Sequence, residues 1–435
     1  MSEPFVRSVL RTFFRRIVSL YFREVESSGV PPQSDTRGRV FFANHYNGLI
    51  DPVLILSLCD FSIAPLAKST LWDMPLMRTL LDTAGAVPVV RRRDNPDKAA
   101  SDTESMFEKV ALHLRAGGNI LIFPEGTSHS EAHLVPLKSG AARMLVRAHE
   151  AGGSNLTYQG IGLEFDAKDS FRSRALLTYG PVRSLDGETA KGDELVTRVQ
   201  SRMKEDLDEL VVTANDWDDR VRIDLIASMY ENDARRDASD GDQSTGSLLA
   251  IQERAIRVET TRAWFELNDV AALVALRGEV TAYYEALCKA RTSDAAVLGL
   301  PGPRAQKRLL FFAPLALVGV ILYYVPYQIP RWVVAALRPT KDVVSTYKLG
   351  AGLVAFGGWA VALSILSMFL PMPLAGRLGV LAVVLLSPFA ALRWVDRRDD
   401  FKSLGETPDE TTRAALLGQR EALMKRLDVA RAQGG

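Results

Sequence analysis

The stretch LLFFAPLALVGVILYYV, residues 309–325, carries no charged side chain, and neither does the run from 349 to 376. About 20 apolar residues let a helix cross a hydrocarbon core, where water cannot satisfy an open backbone. Residues 349–370 meet that length; 374–392 is a weaker candidate, because Arg377 sits near its start, where it would snorkel to the interface. Pro326 and Pro330 interrupt 309–337, which reads as a re-entrant or interfacial segment with a third span close behind. The chain is therefore expected to be an integral membrane protein. Its basic flanks (Arg304, Lys307 and Arg308; Arg331, Arg338 and Lys341; Arg393, Arg397 and Arg398) lie on the cytoplasmic side by the positive-inside tendency, with 349–392 a hairpin turning at Pro371–Pro373.

A chain of 435 residues exceeds one ordinary core. The expected organisation is an amphipathic membrane-interface helix (1–30), an α/β domain (31–213), a charged helical region (214–305), membrane segments (306–395) and a solvated helical tail (396–435). In the first of these, Arg7, Arg11 and Arg15 share a stripe, while Phe13, Phe14, Ile17, Val18 and Tyr21 suit the acyl boundary. The same pattern also fits a helix packed on its own domain. In the tail, Glu421 and Lys425 stand at i,i+4. No secretory signal peptide is read at the N-terminus. With 53 basic and 52 acidic residues, net charge points to no polyanionic partner and no nucleic acid. Cys59 and Cys288 fit no metal spacing.

Between 38 and 182 short apolar runs alternate with helical periodicity. Strands are expected at 39–43, 85–90, 119–123, 158–165 and 174–180, and helices at 52–59, 74–83, 100–115 and 139–150, with an amphipathic helix over 192–213. This alternation predicts an α/β fold with a mostly parallel sheet flanked by helices. Farther on, 215–300 reads as charged helices broken by DASDGDQSTGS, 237–247.

Three loops carry chemistry. In FFANHYNGLIDP, 41–52, Asp51-Pro52 reads as a helix start, which leaves His45 in the loop after a strand. Such loops gather at the carboxyl ends of strands, where α/β sheets bind ligands. Asp51 is then placed to accept the His45 Nδ1–H and leave Nε2 as a base; the plainer reading is that Asp51 caps and His45 packs. In NILIFPEGTSHS, 119–130, a strand runs straight into Glu125 and Gly126. In VPVVRRRDNP, 87–96, a strand ends in Arg91, Arg92 and Arg93. Lys138 opens the helix 139–150, and Arg172 and Arg174 flank the start of a strand, so several cations are available to a phosphate.

His45-x5-Asp51, Arg91 after a strand, and Phe123-Pro124-Glu125-Gly126 occur in an order that resembles the glycerolipid acyltransferase superfamily. The longer first motif, Asn44-His45-x5-Asp51-Pro52, is similar to the branch of fungal glycerol-3-phosphate/dihydroxyacetone-phosphate acyltransferases and their bacterial relatives, as are FPEGTSHSEAHLVPLKSGAARM (123–144) and FRSR (171–174). The usual first motif is one residue shorter, and Gly160 stands where the fourth motif normally carries proline. The resemblance implies catalysis by His45 and Asp51, with Arg91, Glu125, Gly126, Lys138, Arg172 and Arg174 on the acceptor side. It implies a phosphorylated acceptor such as glycerol 3-phosphate, acylated at sn-1 to lysophosphatidic acid. Lysophosphatidic acid or dihydroxyacetone phosphate are the alternative acceptors. The acyl thioester, on coenzyme A or acyl-carrier protein, is a co-substrate, and no other cofactor or metal is expected. Membrane lipids are the remaining partner, with the catalytic domain on the cytoplasmic face.

Two readings compete. His129-x3-His133 with Glu125 and Glu131 offers the ligands of a metal-dependent hydrolase. A non-catalytic membrane scaffold that kept the fold is the other.

Overall fold

Residues 39–43, RVFFA, are buried at every position, as a strand covered on both faces must be. In the computed structural model, which describes residues 5–32, 37–90, 99–238, 246–300, 307–403 and 406–434, this strand lies at the centre of the sheet. The chain divides into two compact units, Met1–Thr213 with Lys341–Ser345, and Ala214–Thr340 with Thr346–Gly435.

The first unit runs α1 (Phe5–Tyr21), β1 (Glu24–Gly29), β2 (Arg39–Ala43), α2 (Ile50–Leu58), β3 (Ala64–Lys68), α3 (Pro75–Ala84), β4 (Val87–Val89), α4 (Ala99–Arg115), β5 (Asn119–Ile122), α5 (Gly140–Glu150), β6 (Thr157–Phe165), β7 (Arg174–Ser184) and α6 (Gly192–Leu210). The sheet order is β1-β7-β6-β2-β5-β3-β4. Every pairing is parallel except β6 with β7. This is the expected mostly parallel α/β layer.

Side chains alternate across the pleat. Val40 and Phe42 therefore join Leu114, Ile120, Leu145, Tyr158, Val199 and Leu207 in one core beneath α4, α5 and α6, while Phe41 faces the other side and meets Phe61. Gly160 lies in mid-β6 at an irregularity of the β6–β7 register, and a Cβ there would stand 3.1 Å from Leu210 and 3.2 Å from Phe42. The absent side chain lets the end of α6 approach the sheet, so at Gly160 the departure from proline serves packing.

Two strands escape the periodicity reading. β1, EVESSG, is a polar edge strand parallel to β7, which brings 24–29 into the sheet and moves the boundary expected at 30. β3, APLAK, is short and holds Pro65. The face of α1 assigned to lipid is also corrected: Phe14, Ile17, Val18 and Tyr21 are buried within the first unit, while Phe13 is exposed.

The second unit contains α7 (Trp217–Asp237), α8 (Leu248–Asn268), α9 (Val270–Lys289), α10 (Asp294–Val297), α11 (Lys307–Leu322), α12 (Tyr324–Leu337), most of α13 (Val344–Met368), α14 (Leu374–Ser403) and α15 (Glu410–Gly434). Lys341–Met368 and Leu374–Asp396 are long and apolar enough to cross a membrane, and Ala313–Leu322 with Tyr324–Leu337 form a pair bent by 48°. The bend falls at Tyr323, before the prolines of α12. Tyr323 OH donates to the Val384 carbonyl at 2.9 Å, and Trp359 Nε1 donates to that of Leu322 at 2.9 Å.

The solvated tail is also corrected. Leu416, Leu423, Met424 and Leu427 of α15 are buried with Ile226, Met229, Val280 and Tyr283 of α7 and α9. Arg420 is buried in the middle of that stripe, and a charged residue there makes the helix read as polar.

Candidate active site

In the sheet, β2 stands between β6 and β5, and the chain passes from one side of it to the other. The loop after β2 therefore opens into the crevice that such a reversal creates, between the loops after β5 and β6. His45 lies in the first loop, Glu125 in the second and Lys168 in the third.

The His45 Nδ1 lies 2.9 Å from Asp51 Oδ2, and the Asn47 N–H donates to the same oxygen at 2.7 Å. Asp51 is not the helix cap expected from the sequence. Helix α2 begins at Ile50, Leu49 occupies the cap position without a side-chain bond, and Asp51 lies inside the first turn. Its carboxylate turns back to the loop, orienting the imidazole. The Asp51 side chain has no exposure, and its Oδ1 has no hydrogen-bond partner. Burial raises the Asp51 carboxyl above its ordinary range, opposed by the hydrogen bond and charge of His45 and, more weakly, by the charge of Lys168. An ionised Asp51 can only accept, so the proton on this side of the ring sits on Nδ1 and Nε2 is left basic. The ring also stacks on Phe123, centroids 3.9 Å apart.

Glu125 ties the second loop to the first. Its Oε1 accepts the His45 N–H at 2.7 Å, and its Oε2 takes the Val135 N–H at 3.0 Å and a short bond from His129 Nε2. The His129 N–H in turn donates to the His45 carbonyl at 3.1 Å. Gly126 has φ +73°, and a Cβ on it would lie 2.8 Å from the Cδ of Lys138. The glycine is required both for the turn and for the lysine stem crossing it. Asn44 joins β2 to β6 like a piece of strand: its amide accepts from Leu163 N at 2.7 Å and donates to the Leu163 carbonyl at 3.0 Å.

The sequence of this region matches a known family. Residues 24–159 match the Acyltransferase family. They form an acyltransferase domain of the glycerolipid acyltransferase superfamily. Over 136 residues the chain is 30% identical to "Glycerol-3-phosphate O-acyltransferase 2" of Saccharomyces cerevisiae, a stretch covering 30% of this chain but only 18% of the yeast protein. A "1-acyl-sn-glycerol-3-phosphate acyltransferase" of Limnanthes alba is 24% identical over 151 residues, 34% of this chain and 51% of the plant protein. Among solved structures, the 1-acyl-sn-glycerophosphate acyltransferase of Thermotoga maritima aligns at 18% identity and a TM-score of 0.35, over 46% of this chain and 77% of that one.

The acyltransferase domain gathers only some of the cations named from the sequence. Lys138 lies across Gly126 beside Glu125, and its N–H donates to the Pro124 carbonyl at 2.8 Å. Arg91 falls outside the described residues. Arg172, at φ +65°, is committed to α1 instead. Its Nη1 donates to the carbonyls of Ser19, Leu20 and Phe22 at 2.8–2.9 Å, and its N–H to that of Tyr21 at 2.7 Å. A cation there completes the carbonyls that the end of a helix leaves open. Arg174 is paired with Asp166, through N–H at 2.7 Å and Nε at 3.2 Å.

Lys168 was missed by the sequence reading. Its Nζ lies 2.9 Å from Ser130 Oγ and 3.4 Å from the Tyr46 carbonyl. Its position in the loop after a parallel neighbour of β2 is the signal that would have found it. Cys59 is no rival nucleophile, since burial pushes its thiol up to about 12. Among the described residues, no three His, Cys, Asp or Glu side chains are arranged to hold a metal ion, and His129 closes on Glu125.

Proposed function

We propose that this chain is a membrane-bound O-acyltransferase that moves a fatty acyl group from an acyl thioester to the sn-1 hydroxyl of glycerol 3-phosphate, giving lysophosphatidic acid. The observation that carries the reading is His45 Nδ1 at 2.9 Å from a fully buried carboxylate, within a matched acyltransferase domain. The acceptor hydroxyl is the nucleophile. His45 Nε2 removes its proton as the oxygen attacks the thioester carbonyl, and Asp51 stabilises the imidazolium. The C–O bond forms, the C–S bond breaks, and the departing thiolate takes the proton back. Acyl-CoA and acyl-carrier protein present the same thioester, so either serves as donor.

For the acceptor phosphate, Lys138 and Lys168 are the cations we assign, with Arg91 as a further candidate from the sequence. Two long apolar helices fit anchorage in a membrane, and the basic flanks fit a cytoplasmic catalytic face. Lysophosphatidic acid is the second reading. With Arg172 and Arg174 engaged inside the protein, the cationic cluster that favoured a small dianion is smaller, and relatives named for each acceptor are present.

The test offers purified protein one labelled acyl thioester with glycerol 3-phosphate, dihydroxyacetone phosphate or lysophosphatidic acid. We expect lysophosphatidic acid as product from the first, and its loss in His45→Ala. Efficient acylation of lysophosphatidic acid with none of glycerol 3-phosphate would overturn the acceptor assignment.

A further inference from the structure

The acyltransferase match ends at residue 159, yet the unit that holds it includes five residues from far down the chain, Lys341–Ser345. This strap comprises a short turn, Lys341–Val343, and the first two residues of α13.

The strap reaches all three loops of the site. On the first, the Gly48 N–H donates to the Asp342 carbonyl at 3.0 Å, and Ser345 Oγ lies 3.1 Å from Asn47 Oδ1. On the second, Ser128 Oγ donates to Asp342 Oδ2 at 2.6 Å. On the third, Ser345 Oγ lies 2.6 Å from the Lys168 carbonyl, and Lys168 Nζ stands 3.5 Å from that of Lys341. Ser345 is wholly buried, and its single hydroxyl proton serves one of its two acceptors at a time.

What the strap grips decides its role. Asn47 is the residue whose amide donates to Asp51 Oδ2, the oxygen that also holds His45 Nδ1. Gly48, the next residue, hangs on Asp342. A shift of the 47–48 turn withdraws the amide from the carboxylate and frees the carboxylate to leave the ring. Misplacement by about 1 Å near a reacting centre costs on the order of 100-fold in rate.

We propose that Asp342 and Ser345 are positioning residues of the acyl-transfer site, locking the Asn47–Gly48 turn and through it the Asp51–His45 pair. The inference rests on the acyltransferase reading above for its kinetic consequence but not for its geometry.

The experiment uses the full chain in detergent, with Asp342→Ala, which removes the Ser128 bond that fixes the carbonyl gripping Gly48, and Ser345→Ala made singly. Each should lower kcat at least tenfold and leave the KM of acceptor and donor within about twofold, because the groups they align act mainly in the transition state. In an Asp51→Asn background the same changes should cost less than twofold more, since what they position is already gone. A purely structural strap would multiply its loss onto Asp51→Asn, and that result overturns the proposal. So does wild-type kcat in both variants, or a raised KM at unchanged kcat. Protein labelled with 15N-histidine gives a readout without substrate: His45 imidazole signals should shift in both strap variants. If wild type transfers no acyl group, the acyltransferase reading fails. The positioning proposal is then decided by whether those signals move.

Discussion

Each unit buries a cluster of charged and polar side chains, and the two clusters are finished differently. In the second unit Asp294 takes Tyr283 OH at 2.7 Å, Arg420 Nε at 2.7 Å and Asn232 Nδ2 at 2.9 Å. Arg420 also meets Asp233 and the Met229 carbonyl. The cation is matched and both Asp294 oxygens are used, so the cluster can only hold α7, α9, α10 and α15 together. In the first unit Asp51 is buried as deeply, but one oxygen is unpartnered and the ring it holds keeps a basic nitrogen. A closed polar cluster specifies a fold, whereas an unfinished one leaves a group able to accept a proton.

The strongest attempt to break this contrast is His45→Ala. It should lower acyl transfer at least ~10²-fold while the melting temperature stays near wild type, read by labelled-product assay and a thermal scan. Near-normal turnover would end the mechanism. Arg420→Met is the mirror experiment. It leaves Asp294 buried without its cation and should destabilise the second unit by ~3–5 kcal/mol. Turnover per folded molecule should be unchanged, measured after removal of aggregated protein.

Arg172→Ala sharpens the contrast inside the acyltransferase unit, because its guanidinium belongs to the closed kind. Loss of its bonds to the end of α1 should cost about 1–3 kcal/mol and leave the acceptor KM alone. A raised KM at unchanged stability would return Arg172 to the phosphate role read from the sequence. The smallest effect is expected from Asp51→Asn on stability. Burial raises the Asp51 carboxyl, so the folded chain binds its proton more tightly than the unfolded chain does. Its contribution to stability therefore declines as pH rises from the ordinary carboxylate range through the folded value. Asn carries no such dependence. Scans at several pH values should find the variant gaining on wild type between acidic and neutral pH, although its turnover is low.

The fold is legible in the sequence where the physics is local. RVFFA, the helices of the α/β layer and the break between α13 and α14 at Pro371–Pro373 all follow from periodicity and breakers. It is hidden where a partner distant in the chain decides the outcome. β1 carries no apolar pattern because it is an edge strand, and α15 reads as solvated because Arg420 interrupts its buried stripe. At the site, His45 and Asp51 could be named because they sit six residues apart, and a loop closes that distance. The bonds of Arg172 could not be read because a charged residue in a loop gives no hint that a helix end 150 residues earlier will occupy it. Asp342 and Ser345 had no signal at all: they stand at the mouth of an apolar run, where a sequence reader sees only the flank of a membrane segment.

The strap also sets a clock. The acyltransferase unit is not complete when Thr213 leaves the ribosome, because Lys341–Ser345 belongs to it. At about 5–20 residues per second the intervening ~130 residues take on the order of 10 seconds to synthesise. Throughout that interval the loop bearing His45 waits for its last hydrogen bonds, and they arrive on the segment that begins the first of the two long apolar helices. On the positioning role proposed for the strap, the order of synthesis brings the His45 loop its last hydrogen bonds only as the first long apolar helix begins to emerge.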